Sequence, residues 1–186
     1  MSQGSDLTEK QLSTEEIYHG RLLHVYKDAI ALPNGATSVR EYIRHSGAVC
    51  IVALTENRRV PVVRQYRYPM GSVLLEIPAG KLDGGGESPE EAARRELKEE
   101  TGATVGELVY LGPLYPTPAY TDEVIHMFLA KDVVLGEATP DEGEFLTFTL
   151  MPLEELTDAI LRGEVPDAKT QTAVLRAVAY LNHHES

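Results

Sequence analysis

The sequence contains no tryptophan and only one cysteine, Cys50, among its 186 residues. A single cysteine excludes an internal disulfide. Because Cys50 lies in the apolar run 47–52, we expect a buried core thiol and not a nucleophile. Without tryptophan, any aromatic stacking on a bound base must use tyrosine, phenylalanine or histidine.

Basic residues are also scarce: 17 Lys and Arg stand against 29 Asp and Glu, which gives a net charge of −12. Such a chain is a poor match for nucleic acid or for an anionic membrane surface. The sequence has no signal-peptide pattern and no apolar run of about 18 residues. We therefore expect a cytoplasmic protein that has neither nucleic acid nor a membrane as its partner.

Hydrophobic periodicity and turn residues predict an α+β fold. The polar residues 1–13 are expected to be frayed, and strands are expected in 15–44, around a turn at 33–35. Further strands are predicted at 48–54, 60–66, 73–77, 108–114, 124–130 and 145–150. Helices are predicted after Ser88, around 153–160 and after Asp167. We assign residues 1–45 to an N-terminal antiparallel β appendage and residues 46–186 to the main domain.

The segment 79–103, AGKLDGGGESPEEAARRELKEETGA, predicts a glycine-rich loop followed by a helix. Ser88 is placed to cap that helix, with Pro89 at the first helical position and Glu91 completing a capping box. Gly102 is the expected stop.

Glu96, Glu99 and Glu100 lie on one face of this predicted helix, because they are three or four residues apart. Like charges at this spacing cost about 0.2–0.5 kcal/mol per pair when exposed. Bound Mg²⁺ or Mn²⁺ removes the repulsion, since hard cations take oxygen ligands. The alternative is a solvated acidic face, which the position near the C-terminal end of the helix disfavours, because the helix dipole there favours cations.

The spacing of this segment resembles the motif of the Nudix hydrolase family. That motif is a glycine, five residues, a glutamate, seven residues, and then Arg-Glu-aliphatic-x-Glu-Glu-x-Gly-aliphatic. The matching residues are Glu87, Arg95, Glu96, Leu97, Glu99, Glu100, Gly102 and Ala103. Gly80 departs from the motif, because six residues and not five lie between it and Glu87. The resemblance implies a helix/mixed-sheet/helix sandwich with the motif helix on one face of the sheet.

The resemblance also implies a metal site and a structural frame around it. The ion, Mg²⁺ with Mn²⁺ as the alternative, would be bound by the Ala79 carbonyl and by Glu96, Glu99 and Glu100, with Glu99 either a ligand or a catalytic orienter. The residues interpreted as structural are Gly80, Glu87, Arg95 and Gly102. Among these, Glu87 and Arg95 are expected to form an ion pair that fixes the loop, although Glu91 and Glu99 are also within reach of Arg95.

Outside the motif, Pro118 lies sixteen residues after Gly102, and the run Pro-Ala-Tyr-Thr-Asp-Glu at 118–123 resembles a loop of the ADP-ribose pyrophosphatases. Ala119 replaces the usual glycine of that loop. The likeness implies Mg²⁺-dependent hydrolysis of ADP-ribose to AMP and ribose 5-phosphate. The expected substrate-binding residues are Arg67, Arg40, Glu41, Pro118 and Glu123.

The assignments of Arg67, of Arg40 and Glu41, and of the general base each have a simple alternative. Arg67 suits phosphate because of its guanidinium fork, but an exposed strand-end arginine would look the same. Arg40 and Glu41 fall where N-terminal strands that exchange within a homodimer would contact adenosine, or they lie on an exposed strand face. The run Asp-Glu-Gly-Glu at 141–144 resembles the acidic loop that carries the general base in ADP-ribose pyrophosphatases, which implies Glu142 or Glu144 as the base unless the run is only a turn. The sequence does not separate the two glutamates.

Two other functions stay open at this stage. The first keeps the chemistry and changes the substrate to another nucleoside diphosphate sugar, a dinucleotide or coenzyme A. The second is a non-catalytic ADP-ribose sensor, which the complete set of motif glutamates disfavours.

Overall fold

A computed structural model describes residues 6–82, 85–137 and 146–184. In these ranges the strands are β1 (Lys10–His19), β2 (His24–Ala31), β3 (Thr37–Arg44), β4 (Ala48–Ala53), β5 (Arg59–Arg67), β6 (Ser72–Glu76), β7 (Ala79–Lys81), β8 (Glu107–Leu114), β9 (Ile125–Lys131) and β10 (Leu146–Pro152). The helices are α1 (Pro89–Thr101), α2 (Leu153–Leu161) and α3 (Ala168–His184). No helix in the described ranges is long and apolar enough to cross a membrane.

The chain divides into two compact units. One comprises Met1–His45 with Thr117–Glu123, and the other comprises Ser46–Pro116 with Val124–Ser186. The loop that carries Pro118 therefore groups with the N-terminal strands.

The N-terminal unit is built on an antiparallel sheet in the order β1-β2-β3. Strand β1 begins at Lys10, which pairs with Ala31, so the expectation of a frayed segment 1–13 is wrong from Lys10 onward. Every residue of β1 is exposed, and its order comes from backbone pairing with β2. The predicted turn at 33–35 is confirmed, since Gly35 adopts a positive φ of 84° and donates to Leu32 O.

The second unit contains a four-stranded mixed sheet, β7-β4-β9-β8, and a three-stranded antiparallel sheet, β10-β5-β6. Strands β4 and β9 are parallel, and β4 is buried almost throughout, as its apolar sequence predicted. One face of β4, with Val49 and Ile51, packs against α1. The other face, with Cys50 and Val52, packs against α2 and α3. The predicted α+β helix/sheet/helix class is confirmed.

Helix α1 forms as its sequence predicted. The Glu91 backbone N–H donates to Ser88 Oγ at 3.3 Å and the Ser88 N–H donates to the Glu91 carboxylate at 2.8 Å, which completes the capping box. Ala93 and Leu97 are fully buried. Gly102 ends the helix with a φ of 66°, the left-handed conformation that glycine tolerates best.

Cys50 is fully buried in the core. Burial raises the pKa of its thiol to about 12, so the thiolate is not accessible at neutral pH. The expectation of a structural thiol is confirmed.

Candidate active site

The three glutamates of α1 lie on the side of the helix that turns into the protein. Glu100 is 7% exposed, and the side chains of Glu96 and Glu99 are 14% and 32% exposed. A solvated acidic face is therefore the wrong description for Glu96 and Glu100. Carboxylates at this depth need compensating cations or hydrogen bonds.

The Glu96 carboxylate is seated directly on Gly80. A Cβ added to Gly80 would lie 1.8 Å from Glu96 Cδ and 2.0 and 2.2 Å from its two oxygens. While the Glu96 carboxylate stays in this position only glycine fits, and the reason is close approach, because Gly80 does not have a positive φ. The contact places Glu96 beside the backbone of Ala79, the residue before Gly80, so the longer spacing to Glu87 does not separate the loop from the helix.

Arg95 is bound by several carboxylates at once. Its guanidinium donates to both oxygens of Glu87 at 2.9 and 3.0 Å, to Glu96 at 2.7 Å and to Glu99 at 3.1 Å. It also donates to the Lys81 carbonyl at 3.2 Å. The hydrogen bonds that Arg95 donates to Glu87 are the main reason that the pKa of Arg95 is raised, with Glu96 adding to the effect. The arginine thus ties the loop, strand β7 and two of the three glutamates together.

A second ion-pair cluster, which the sequence interpretation missed, surrounds Glu76 at the end of β6. Glu76 is 1% exposed, and both of its oxygens accept hydrogen bonds from Arg67, at 2.7 and 2.6 Å. Lys169 at the start of α3 also bonds to Glu76, and it lies 3.1 Å from Asp167. An acidic residue inside the apolar run 73–77 was the available signal, since a buried carboxylate requires cationic partners.

The electrostatics of this cluster follow from its contacts. Burial raises the pKa of Glu76, but hydrogen bonds and charges from Arg67 and Lys169 outweigh it and leave the pKa below its ordinary value. The pKa of Arg67 is raised, mainly by its hydrogen bonds to Glu76, with Asp167 and Glu100 acting through charge alone. Arg67 therefore lies within electrostatic reach of the acidic stripe on α1.

The cluster also anchors the strand that leads to Gly80. Asp167 caps α3 by accepting from the Thr170 N–H at 2.9 Å, and it accepts from the Thr170 hydroxyl at 2.6 Å. Thr170 Oγ1 in turn accepts from the Ile77 N–H at 3.0 Å. Because Ile77 is two residues before Ala79, this bond helps to fix the position of the Ala79 carbonyl.

Two of the predicted substrate residues lie on β3 in the N-terminal unit. Arg40 and Glu41 are both exposed. The Arg40 guanidinium pairs with Glu9 and bonds to the Val39 carbonyl at 3.0 Å. Arg40 is therefore held by contacts to Glu9 and to the backbone of its own strand.

The Pro118 loop is attached to the end of β3 within the same unit. The Ile43 N–H donates to Tyr120 O at 2.7 Å, and the His45 N–H donates to the Asp122 carboxylate at 2.8 Å. Pro118 itself is exposed, and Glu123 lies 3.7 Å from His45 Nδ1. Pro118 and Glu123 are thus brought close to the strand that carries Arg40 and Glu41.

Glu142 and Glu144 lie outside the described residues. The residues that flank this undescribed segment, Glu137 and Leu146, are both described. A Cβ added to Gly102 would lie 2.5 Å from backbone atoms of Glu137, so the chain leaves the described part against the C-terminal end of α1. It returns at Leu146, which pairs with Gln65 on β5, two residues before Arg67. Both ends of the segment that carries Glu142 and Glu144 are therefore held beside predicted site residues.

The acidic stripe fits a hard divalent cation. The three carboxylates share one stripe of α1, and Glu96 packs against Gly80 beside Ala79, so the donors that this stripe and the Ala79 carbonyl offer are all oxygens. The Glu16, His19 and His24 side chains of the N-terminal unit form a separate group with different donor atoms.

Comparison with known proteins identifies the fold. The family model of the NUDIX domain matches residues 44–173. This chain belongs to the Nudix hydrolase family. Nudix hydrolases generally need divalent metal ions, in keeping with the oxygen donors on α1. Residues 9–43 match the model of the nucleoside diphosphate sugar hydrolase N-terminal domain.

Three relatives of this Nudix hydrolase span almost its whole length. An ADP-ribose pyrophosphatase from Bacillus subtilis (strain 168) is 41% identical, covering 90% of this chain and 91% of its own. A methanol dehydrogenase activator from Bacillus methanolicus is 40% identical over 92% of this chain and 93% of its own. The crystal structure of an ADP compounds hydrolase has a TM-score of 0.83 at 28% identity, covering 94% of this chain and 95% of its own.

Proposed function

We propose that this Nudix hydrolase cleaves the pyrophosphate bond of ADP-ribose, in a reaction that depends on Mg²⁺, to give AMP and ribose 5-phosphate. The observation that carries the proposal is the Glu96 carboxylate seated on Gly80 within a largely buried stripe of three glutamates. The ADP-ribose pyrophosphatase and the ADP compounds hydrolase named above support the choice of substrate.

The metal ligands in this proposal are the Ala79 carbonyl and the carboxylates of Glu96, Glu99 and Glu100. Mg²⁺ is favoured because all of these donors are oxygens, and Mn²⁺ is the alternative. When bound, the ion neutralises charge on the pyrophosphate and promotes attack of water on phosphorus. Arg95 holds Glu96 and Glu99 in position through its hydrogen bonds, so the site is ordered before substrate arrives.

Arg67 is proposed to contact a substrate phosphate. Its side chain is 42% exposed, and Glu76 engages only Nε and Nη2. Within the described parts of the chain, Nη1 has no hydrogen-bond acceptor, so it can donate to a phosphate oxygen without breaking the pair with Glu76. The pair fixes the direction in which the guanidinium points.

Glu142 or Glu144 is proposed as the general base that accepts a proton from the attacking water. The support is the anchoring of both ends of that segment, at Glu137 and Leu146. Glu99 is the alternative, since its carboxylate is already oriented by Arg95. Comparing the pH dependence of kcat in the Glu142→Gln, Glu144→Gln and Glu99→Gln variants separates the three: only the variant that lacks the base should lose the acidic limb of the profile.

We also propose a homodimer that covers the exposed strand β1 and supplies Arg40 and Glu41 to the adenosine of the partner. Leu12, Ile17 and Tyr18 on β1 are 58%, 47% and 58% exposed, which is unusual for three large side chains on one strand. A second copy that buries them would remove this apolar surface from water. Light scattering after size exclusion should give twice the chain mass, and a fully active monomer would contradict the proposal.

Product analysis tests the proposed function. ADP-ribose, GDP-mannose and a dinucleotide are incubated with the enzyme, with and without Mg²⁺, and the nucleoside monophosphate and sugar phosphate are quantified. The expected result is release of AMP and ribose 5-phosphate from ADP-ribose, only with the metal. Faster turnover of another compound would change the substrate but keep the chemistry. Tight binding of ADP-ribose without any turnover would instead identify a sensor.

A further inference from the structure

A second metal-ligating cluster lies in the N-terminal unit, where strands β1 and β2 meet. The Nδ1 atoms of His19 and His24 each lie 3.0 Å from the same oxygen of Glu16. The two imidazole rings meet edge to face, with centroids 4.3 Å apart. All three ligand atoms lie within 4.8 Å of one another.

A β-bulge brings these side chains to one face of the sheet. Residues three apart on a regular strand point to opposite faces, so Glu16 and His19 would ordinarily be separated. The register of β1 shifts by one residue between Glu16 and Tyr18, and this extra residue turns both side chains to the same side. His24 joins them because it pairs directly with His19.

The backbone holds this arrangement independently of any ligand. The hairpin loop between the two histidines is closed by the Gly20 N–H, which donates to the Leu23 carbonyl at 2.8 Å. The donor atoms therefore converge without a long loop that would have to be ordered on binding.

We propose that Glu16, His19 and His24 bind a divalent transition-metal ion, with Zn²⁺ the best match, and that the ion clips β1 to β2. Two imidazole nitrogens and one carboxylate oxygen are a common ligand set for Zn²⁺, whereas Mg²⁺ prefers oxygen donors only. The cluster therefore selects a different ion from the all-oxygen stripe on α1. The proposal does not depend on the substrate assigned above.

The charge and exposure of the cluster agree with this assignment. A glutamate carboxylate is ordinarily ionised at neutral pH, so Glu16 can serve as an anionic ligand. The three side chains are partly exposed, so an ion can enter and water can complete its coordination. A simple ion pair needs only one histidine beside Glu16, whereas this cluster brings two imidazoles to the same carboxylate oxygen and so offers a cation three ligands.

Calorimetric titration of the full chain with Zn²⁺ tests the proposal. Excess Mg²⁺ is present throughout to compete with Zn²⁺ for the glutamates of α1. The native protein should bind one Zn²⁺ per chain. The His19→Gln/His24→Gln double variant should lose this binding, and Glu16→Gln should weaken it by at least about tenfold, as expected when a ligand is removed.

A matched control removes the same number of imidazoles elsewhere. His183 and His184 are exposed at the end of α3, so the His183→Gln/His184→Gln double variant should bind Zn²⁺ like the native chain. A spectroscopic readout is electron paramagnetic resonance with Cu²⁺, which should show nitrogen coupling in the control variant and none in the His19/His24 variant.

Three outcomes would overturn the proposal. They are the absence of one-to-one Zn²⁺ binding in the native chain, equal binding by the His19/His24 variant, and loss of binding in the His183/His184 control. Circular dichroism of each variant establishes that it is folded. The altered side chains are on the surface, so their replacement should leave the fold intact.

Discussion

Replacing Gly80 by alanine tests whether the close contact between Gly80 and the Glu96 carboxylate matters for catalysis and not for folding. The new Cβ would meet the Glu96 carboxylate at 1.8–2.2 Å, whereas ordinary van der Waals contact begins at 3.4 Å. The carboxylate must therefore retreat by more than about 1 Å. The retreat is inexpensive for the fold, because the clashing atoms are the far end of a flexible side chain and Gly80 has no positive φ to lose.

The size of the effect follows from this displacement. A shift of about 1 Å in a catalytic group can cost on the order of 100-fold in rate. We therefore expect kcat of Gly80→Ala to fall by about that factor, with a weaker apparent affinity for Mg²⁺. The free energy of unfolding should stay within about 1 kcal/mol of the native value, because the lost glycine freedom of the unfolded chain favours folding.

Steady-state kinetics over a range of Mg²⁺ concentrations, together with urea unfolding, measures both quantities. Gly85→Ala is the matched control, since Gly85 lies in the loop that follows β7, has no positive φ, and has no atom of the described residues within 4 Å of its added Cβ. Native kcat and native Mg²⁺ dependence in Gly80→Ala would refute the assignment of Glu96. A loss of activity matched by a large loss of stability would show that Gly80 acts through the fold instead.

Three further predictions follow from the same contacts. Glu100→Gln should lower kcat by orders of magnitude while the circular dichroism spectrum stays native. Near-native turnover would show that Glu100 is not a metal ligand. Glu76→Gln should cost stability toward the low end of the ~3–5 kcal/mol expected for a broken buried pair, since Lys169 keeps Asp167 as a partner. Because the pKa of Glu76 is depressed, this deficit should be full above pH ~4.5 and shrink as the pH falls further, and a pH-independent deficit in urea unfolding would contradict the pairing. Deleting residues 1–44 should weaken dimerisation and substrate affinity together, as measured by light scattering and KM. An unchanged KM would show that the N-terminal unit does not contribute to substrate binding.

The sequence predicted those elements whose cause is local. The capping box of Ser88 and Glu91, the glycine stop and the apolar strand β4 each depend on residues a few positions apart, so a linear pattern contains them. Strand β1 was only partly predicted, because it is polar and exposed along its whole length. β1 is held in place by backbone hydrogen bonds to β2, and nothing in the first thirteen residues indicates that β2 is its partner.

The site divides in the same way. Helical spacing alone placed the three glutamates on one stripe, and the sequence left Glu87, Glu91 and Glu99 as alternative partners of Arg95. In the structure Arg95 donates hydrogen bonds to both Glu87 and Glu99, while the Glu91 carboxylate bonds to Ser88 in the helix cap. Glu76 was missed because Lys169 is 93 residues away in the sequence, a distance that no local pattern spans.

These contacts change the electrostatic argument for the site. Counting charges along α1 gives three glutamates that repel one another, and an ion that would relieve the repulsion. In the folded chain Arg95 already lies between Glu96 and Glu99, so the stripe is held in place by a cation of the protein itself, at 2.7 and 3.1 Å. Arg67, held by Glu76, adds a second fixed cation whose raised pKa reflects in part the charge of Glu100. A chain with a net charge of −12 can accept an anionic pyrophosphate only where such local cations offset its field. We therefore expect the carboxylates that orient these arginines to matter as much for substrate binding as the arginines do.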